Sequence, residues 1–136
     1  LGINLYGLAA KYNYQNMKYL DPIMVAEKYG RMLKEKHKCN MVVCISHLGY
    51  QYKNDKISDL KLAESTTYID AIVGGHTHTF LEEPTIVKNK IGKDVVVNQT
   101  GWGGVKLGAI EFELVQNNFP KLSKSNTVVL TKQTIG

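Results

Sequence analysis

Ile72-Val73-Gly74-Gly75-His76-Thr77-His78 is the stretch that decides the fold. A short apolar run enters two glycines and leaves as His-x-His. Glycine lets a backbone turn sharply where a side chain would clash. The stretch therefore reads as a buried strand whose end presents two imidazoles, each able to offer a nitrogen to a metal. Upstream, Met41-Val42-Val43-Cys44-Ile45-Ser46-His47-Leu48-Gly49 repeats the device: an apolar run, then a histidine, then a glycine. The repetition points to one metal site built across strand ends.

The intervening residues fit that arrangement. Asp21-Pro22 starts a helix, with Asp capping and Pro at the first helical position. Val25, Tyr29, Met32 and Leu33 give it an apolar face, Gly30 weakens it slightly, and Lys34, Lys36, His37 and Lys38 suit the dipole at its end. Residues 41–45 form an unbroken apolar run, as expected of a strand buried on both faces. The polar loop 49–57 is long enough to cover something. Ser58 then caps a second helix, with Asp59 in its first turn and Leu60, Ala63 and Thr67 on one face. With a first strand at residues 3–6, this half reads β-α-β-α-β, which implies parallel strands and right-handed crossovers. Ligands of such sheets sit beyond the carboxyl ends of the strands, where His47, His76 and His78 fall.

The second half changes character. Thr85–Lys88 and residues 94–99 flank Asn89-Lys90-Ile91-Gly92, a hairpin signal. Residues 107–115 alternate, with Ile110, Phe112 and Leu114 on one face. Asn117-Asn118 marks a turn, and residues 127–131 form a last strand. This half reads as antiparallel.

Composition narrows the class. The 136 residues, 43% of them hydrophobic, suit one folded domain, and no apolar run approaches the roughly 20 residues of a membrane helix. Net charge is +5, and of 17 basic residues only Arg31 is an arginine. Nucleic-acid readers lean on clustered arginine, so a nucleic-acid partner is not expected, whereas a mildly basic surface attracts anions such as phosphate esters. Cys39 and Cys44 read as free thiols, Cys44 as packing, and without Cys-x-x-Cys a thiolate zinc site is excluded.

Three histidines at the ends of adjacent strands are read as ligands rather than as parts of a polar turn. His37, among lysines on a surface helix, receives no role. Trp102, between glycines, either lines a pocket or packs under its loop, and Tyr50-Gln51-Tyr52 either touches substrate or is simply exposed. Gly74-Gly75 is no dinucleotide fingerprint.

Residues 1–115 resemble the calcineurin-like metallophosphoesterases, most closely their 5′-nucleotidase branch. Residues 42–49, 70–78 and 95–101, with Leu107-Gly108, carry the resemblance in matching order and spacing. It implies an α/β fold, a four-layer αββα sandwich with two divalent metals (zinc, manganese or iron) at its crest. His47 and His76 would ligate one metal and His78 the other. The implied reaction is hydrolysis of a small phosphate ester, a nucleoside 5′-monophosphate first among them, by attack of a metal-bound hydroxide on phosphorus.

Three motifs of that family, Asp-x-His, Gly-Asp-x-x-Asp and Gly-Asn-His-Asp/Glu, are absent from the sequence: none of Asp21, Asp55, Asp59, Asp70 and Asp94 stands in such a setting. The expectation is therefore that residues 1–136 form the C-terminal half of a catalytic domain. That half would lack the N-terminal metal-binding half, the leaving-group histidine and any nucleoside-binding C-terminal domain, and would be inactive alone. No catalytic residue is identifiable within it, and no substrate-binding residue is assigned. Half of a two-sheet sandwich would also leave an apolar face and a strand edge open. Two other readings remain: a non-catalytic module that binds a metal or a partner, and a mononuclear three-histidine hydrolase with an open fourth position.

Overall fold

The computed structural model describes residues 10–114 and 120–130, so the expected strand at 3–6 and the turn at Asn117-Asn118 lie outside the described residues. After a short helical turn, α1 (Lys11–Tyr14), comes α2 (Pro22–Arg31), which starts as the sequence predicts: the Asp21 carboxylate accepts from Met24 N at 2.8 Å, with Pro22 in the first turn. Its buried face is different from the one expected. Pro22, Ala26 and Gly30 face inward while Tyr29 is exposed. The reason is proximity: a Cβ on Gly30 would stand 2.8 Å from that of Tyr68, so small residues win over the larger apolar stripe. The helix ends in a π turn, Met32–Lys36, and Lys34 does more than suit the dipole there. It pairs with the mostly buried Asp70 at 2.7 Å, and Asp70 also accepts from Val42 N.

Four strands form the main sheet: β1 (Val43–Ile45), β2 (Ala71–Val73), β3 (Thr85–Lys88) and β4 (Asp94–Asn98), in the order β1-β2-β4-β3. β1, β2 and β4 run parallel, and β3 folds back antiparallel on β4 as the predicted hairpin. The second half is thus not wholly antiparallel, because β4 extends the parallel sheet. Between β1 and β2 lies α3 (Asp59–Ser65), capped by Ser58 Oγ, which accepts from Lys61 N. Asp59, Leu62, Ala63 and Thr66 are buried, a face displaced by one residue from the expected Leu60, Ala63 and Thr67. Leu62, Ala63 and Ala26 pack with Leu48, Ile69, Ile72, Val95 and Val97 into the core, and Cys44 lies against it. Burial there raises the pKa of the Cys44 thiol, and both cysteines are free.

The opposite sheet face is unlike this. Val43, Ile45 and Val73 are 50%, 79% and 45% exposed, so β1 is not buried on both faces as its apolar run suggests. A second sheet, the hairpin of β5 (Lys106–Glu113) and β6 (Lys121–Val129), stands beside β3 and β4. Ile86 and Val96 line a cleft with Pro120 and Leu122, and Gly108 faces Asn98 and Thr100 so closely that a Cβ would stand 2.7 Å from Thr100 Cγ2. β6 begins six residues before the expected 127–131 strand, because its residues from Lys121 onward pair along β5. The hairpin meets this face only beside β3 and β4, where Val96 is buried and Ile86 stays largely exposed, while Val43, Ile45 and Val73 stand open. No described helix is long and apolar enough to cross a membrane.

Candidate metal centre

β1, β2 and β4 are parallel, so their carboxyl ends share one edge of the sheet. The ladder continues past the strands, Ser46 N donating to Val73 O and Gly74 N to Asn98 O, both at 2.9 Å. His47 therefore emerges beside the Gly74-Gly75-His76 turn. The rings of His47 and His76 meet edge to face, with centroids 5.3 Å apart and planes at 68°.

The two glycines are needed because a side chain at either position would clash, as the sequence suggests. Neither has positive φ; the left-handed residues of the turn are His76 (φ 76°) and His78 (φ 53°). Side-chain-bearing residues seldom occupy this region, and it is a recurrent place for functional strain. Gly74 and Gly75 permit close approach instead. A Cβ on Gly75 would lie 2.9 Å from His47 Nδ1, and one on Gly74 would lie 2.1 Å from Asp59 Oδ2.

The strained turn is held by Gln99, buried at the end of β4. Its Oε1 accepts from Thr79 N at 2.5 Å and Thr77 Oγ1 at 3.1 Å, and its Nε2 donates to Gly75 O at 2.8 Å. Thr77 Oγ1 also accepts from Tyr50 N at 2.9 Å, which joins the turn to the 49–57 loop. This clamp diverts the chain after His76. His78 consequently stands away from the pair and stacks on Trp102, ring centroids 6.0 Å apart and planes at 24°. Trp102 is 63% exposed, so it is not a core residue packed under its loop.

Beneath the site lies Asp59, fully buried in the first turn of α3. Oδ1 accepts from Ser46 Oγ at 2.5 Å, while Oδ2 has no hydrogen-bond partner. Burial pushes this carboxyl up to about 6, against the lowering effect of the Ser46 bond and of His47. The His76 imidazole is shifted the other way: burial, then the neighbouring His47, Lys56 and His78, lowers its pKa. That favours the neutral ring, the form that ligates metals.

The three predicted histidines thus fall at one sheet edge, two of them in contact and the third turned onto Trp102. Among the described residues, no three His, Cys, Asp or Glu side chains gather closely enough to hold a metal. The imidazoles present fit part of a metal's ligand set and not all of one. Sequence reasoning missed the supports of the site: Gln99, Thr77, Asp59 and Ser46. Gln99 carried a signal, the second of two polar residues that follow the apolar run of β4; Asp59 carried none beyond its place in a helix's first turn.

No family model matches the chain. It is 28% identical over 116 residues to the trifunctional nucleotide phosphoesterase protein YfkN of Bacillus subtilis, covering 85% of this chain and 7% of that protein. With an apyrase of Tabanus yao it shares 36% identity over 83 residues, which are 60% of this chain and 13% of the apyrase. The fold superimposes on a 5′-nucleotidase precursor from Thermus thermophilus with a TM-score of 0.75 at 34% identity, covering 85% of this chain and 24% of that one. The NAD nucleotidase of Haemophilus influenzae matches in fold with a TM-score of 0.74 at 21% identity and the same coverage. The chain spans a quarter or less of each of these proteins. Over the residues compared, it is a homologue of the 5′-nucleotidase group of phosphoesterases and corresponds to part of their length.

Proposed function

We propose that residues 1–136 form the histidine-bearing part of the catalytic domain of a dinuclear metal-dependent phosphoesterase that hydrolyses phosphate monoesters, nucleoside 5′-monophosphates first among them. The observation that carries this reading is the edge-to-face pairing of His47 and His76, 5.3 Å apart at the carboxyl ends of adjacent parallel strands. In this reading His47 and His76 are ligands of one metal and His78 of a second, and the carboxylate ligands come from sequence outside this segment. Bound divalent metals supply an activated water and charge neutralisation at the phosphoryl oxygens. This chain's own residues do the positioning. Gln99 and Thr77 clamp the turn that carries His76, and Gly75 lets His47 lie against it.

Two observations support an incomplete domain. Val43, Ile45 and Val73 on one sheet face are apolar and exposed, and the described side chains do not complete a metal's ligand set. The latter also argues against a self-contained three-histidine hydrolase, since His78 faces Trp102 rather than the His47–His76 pair.

The test uses the native full-length protein. Metal content by elemental mass spectrometry and hydrolysis of adenosine 5′-monophosphate are measured for the wild type, His47→Ala and His76→Ala. The proposal expects each variant to lose bound metal and at least about 100-fold in kcat/KM, a loss of about 2.7 kcal/mol in transition-state stabilisation. Full metal content and full activity in both variants would remove the histidine pair from the mechanism. A wild type that turns over no phosphate monoester would end the phosphoesterase reading itself.

A further inference from the structure

The loop between β1 and α3 brings a cation to the histidine site. The loop is anchored at both ends. Asp59 N donates to Gly49 O at 2.7 Å, and Leu60 N donates to Tyr50 O at 3.3 Å. Within it, the Tyr52 hydroxyl donates to Leu48 O at 2.7 Å, at the residue directly after His47. The same hydroxyl lies over Gly49, where a Cβ would stand 2.2 Å from it and 2.9 Å from Thr77 Cγ2 of the His76–His78 turn. The Tyr52 side chain is therefore wedged between the two histidine-bearing turns. On its ring rests the Lys56 ammonium, 4.3 Å from the centroid, a distance at which a cation is held by the ring's electron-rich face. The backbone of Lys56 is fixed as well, its N–H donating to Asn54 Oδ1 at 3.2 Å.

Among the described residues, no carboxylate stands within ion-pair distance of Lys56. Its chain neighbour Asp55 is engaged by Lys61 instead, at 3.2 Å. Lys56 is half-buried rather than extended into solvent. A cation fixed on the Tyr52 ring beside the two histidine-bearing turns, with the Asp59 carboxyl buried and bonded to Ser46, makes a cradle of positive potential. The complementary ligand is a compact, doubly charged anion.

We propose that Lys56, laid on the Tyr52 ring, is an anion-holding residue of the histidine site and takes the phosphate group of a phosphate monoester. The proposal rests on the phosphoesterase reading and deepens it by naming a substrate contact within this chain.

Inorganic phosphate is the probe. Its affinity is measured by titration calorimetry on the native full-length protein loaded with manganese, for the wild type, Lys56→Gln and Lys56→Arg. Manganese content is measured in parallel. The expected result is about a tenfold weaker phosphate Kd in Lys56→Gln, recovery to within about twofold in Lys56→Arg, and unchanged manganese in both, since a charge-assisted contact is lost and then restored. Three results would overturn the proposal: equal phosphate affinity in Lys56→Gln and the wild type, loss of manganese together with phosphate, or no phosphate binding by the wild type. Hydrolysis of adenosine 5′-monophosphate is followed separately. A protein that binds phosphate through Lys56 and hydrolyses no ester would sink the phosphoesterase reading and leave the anion site standing.

Discussion

The two faces of the main sheet are made of the same kinds of residue on the same strands, yet they live in different surroundings. On one face Cys44, Ile72, Val95 and Val97 pack against α3 and the core, and Ile72 and Val97 are fully buried. On the other, Val43, Ile45, Val73 and Ile86 meet solvent, although Ala71 and Val96 on the same face are buried. Strand alternation fixes which residues share a face. It does not fix what covers that face. An open patch of β-branched side chains next to a functional edge is the kind of surface that another part of a protein normally occupies.

The comparison can be broken by substitution, and the largest effect belongs to the covered face. Ile72→Ala should cost about 4 kcal/mol in chemical denaturation, since it empties a fully buried site, whereas Ile45→Ala should cost less than about 0.5 kcal/mol in the same chain. Equal losses at the two positions would mean that the β1 face is covered in solution. The site edge comes next. Gly74→Ala places a methyl against the buried carboxyl of Asp59 and should cost about 2–3 kcal/mol. A neutral outcome would mean that this floor is loosely packed.

Asp59 supplies the third prediction. Its carboxyl titrates near 3.8 when unfolded and near 6 when folded. Between those values the folded state holds more protons, so the stability of the neutral buried group is complete below 3.8 and is lost as pH rises through about 6. The loss is on the order of 3 kcal/mol. Asp59→Asn should remove that slope from a series of denaturation curves between pH 3.5 and pH 7, and an unchanged slope would show that another group produces it. The smallest effect on stability is expected at the open face. Ile45→Lys should change stability by no more than about 0.5 kcal/mol while reducing self-association in sedimentation velocity. A chain that is strictly monomeric before the substitution would indicate that the patch does not drive contact between copies.

Much of the site was legible because its signals are local. An apolar run that ends in glycines and histidines places imidazoles at a strand end wherever that strand lies in the sheet. The parallel pairing of β1 and β2 followed from the single helix between them, and the β3–β4 hairpin from the Asn-Lys-Ile-Gly turn. Less legible were features set by contact. The buried face of α2 is Pro22, Ala26 and Gly30 because Tyr68 comes within reach of Gly30, and no spacing along the helix announces a neighbour. Lys34 looked like a helix-end cation, but it pairs with Asp70, thirty-six residues away. The turn glycines read as places where a side chain would clash, and that holds, but the left-handed backbone of His76 and His78 had no sequence signal.

The sequence by itself determined the strand ends, the helix caps and the residues that carry imidazoles, because each depends on a few consecutive side chains and on backbone preferences within one turn. Only the tertiary structure decided that His47 meets His76 while His78 turns to Trp102, that Gln99 clamps the turn between them, and that Lys56 rests on Tyr52 above Leu48. Those relations join residues from four separate segments. Their geometry is fixed by strand register and by the close approach that Gly49, Gly74 and Gly75 allow, and packing sets such distances where no local pattern can.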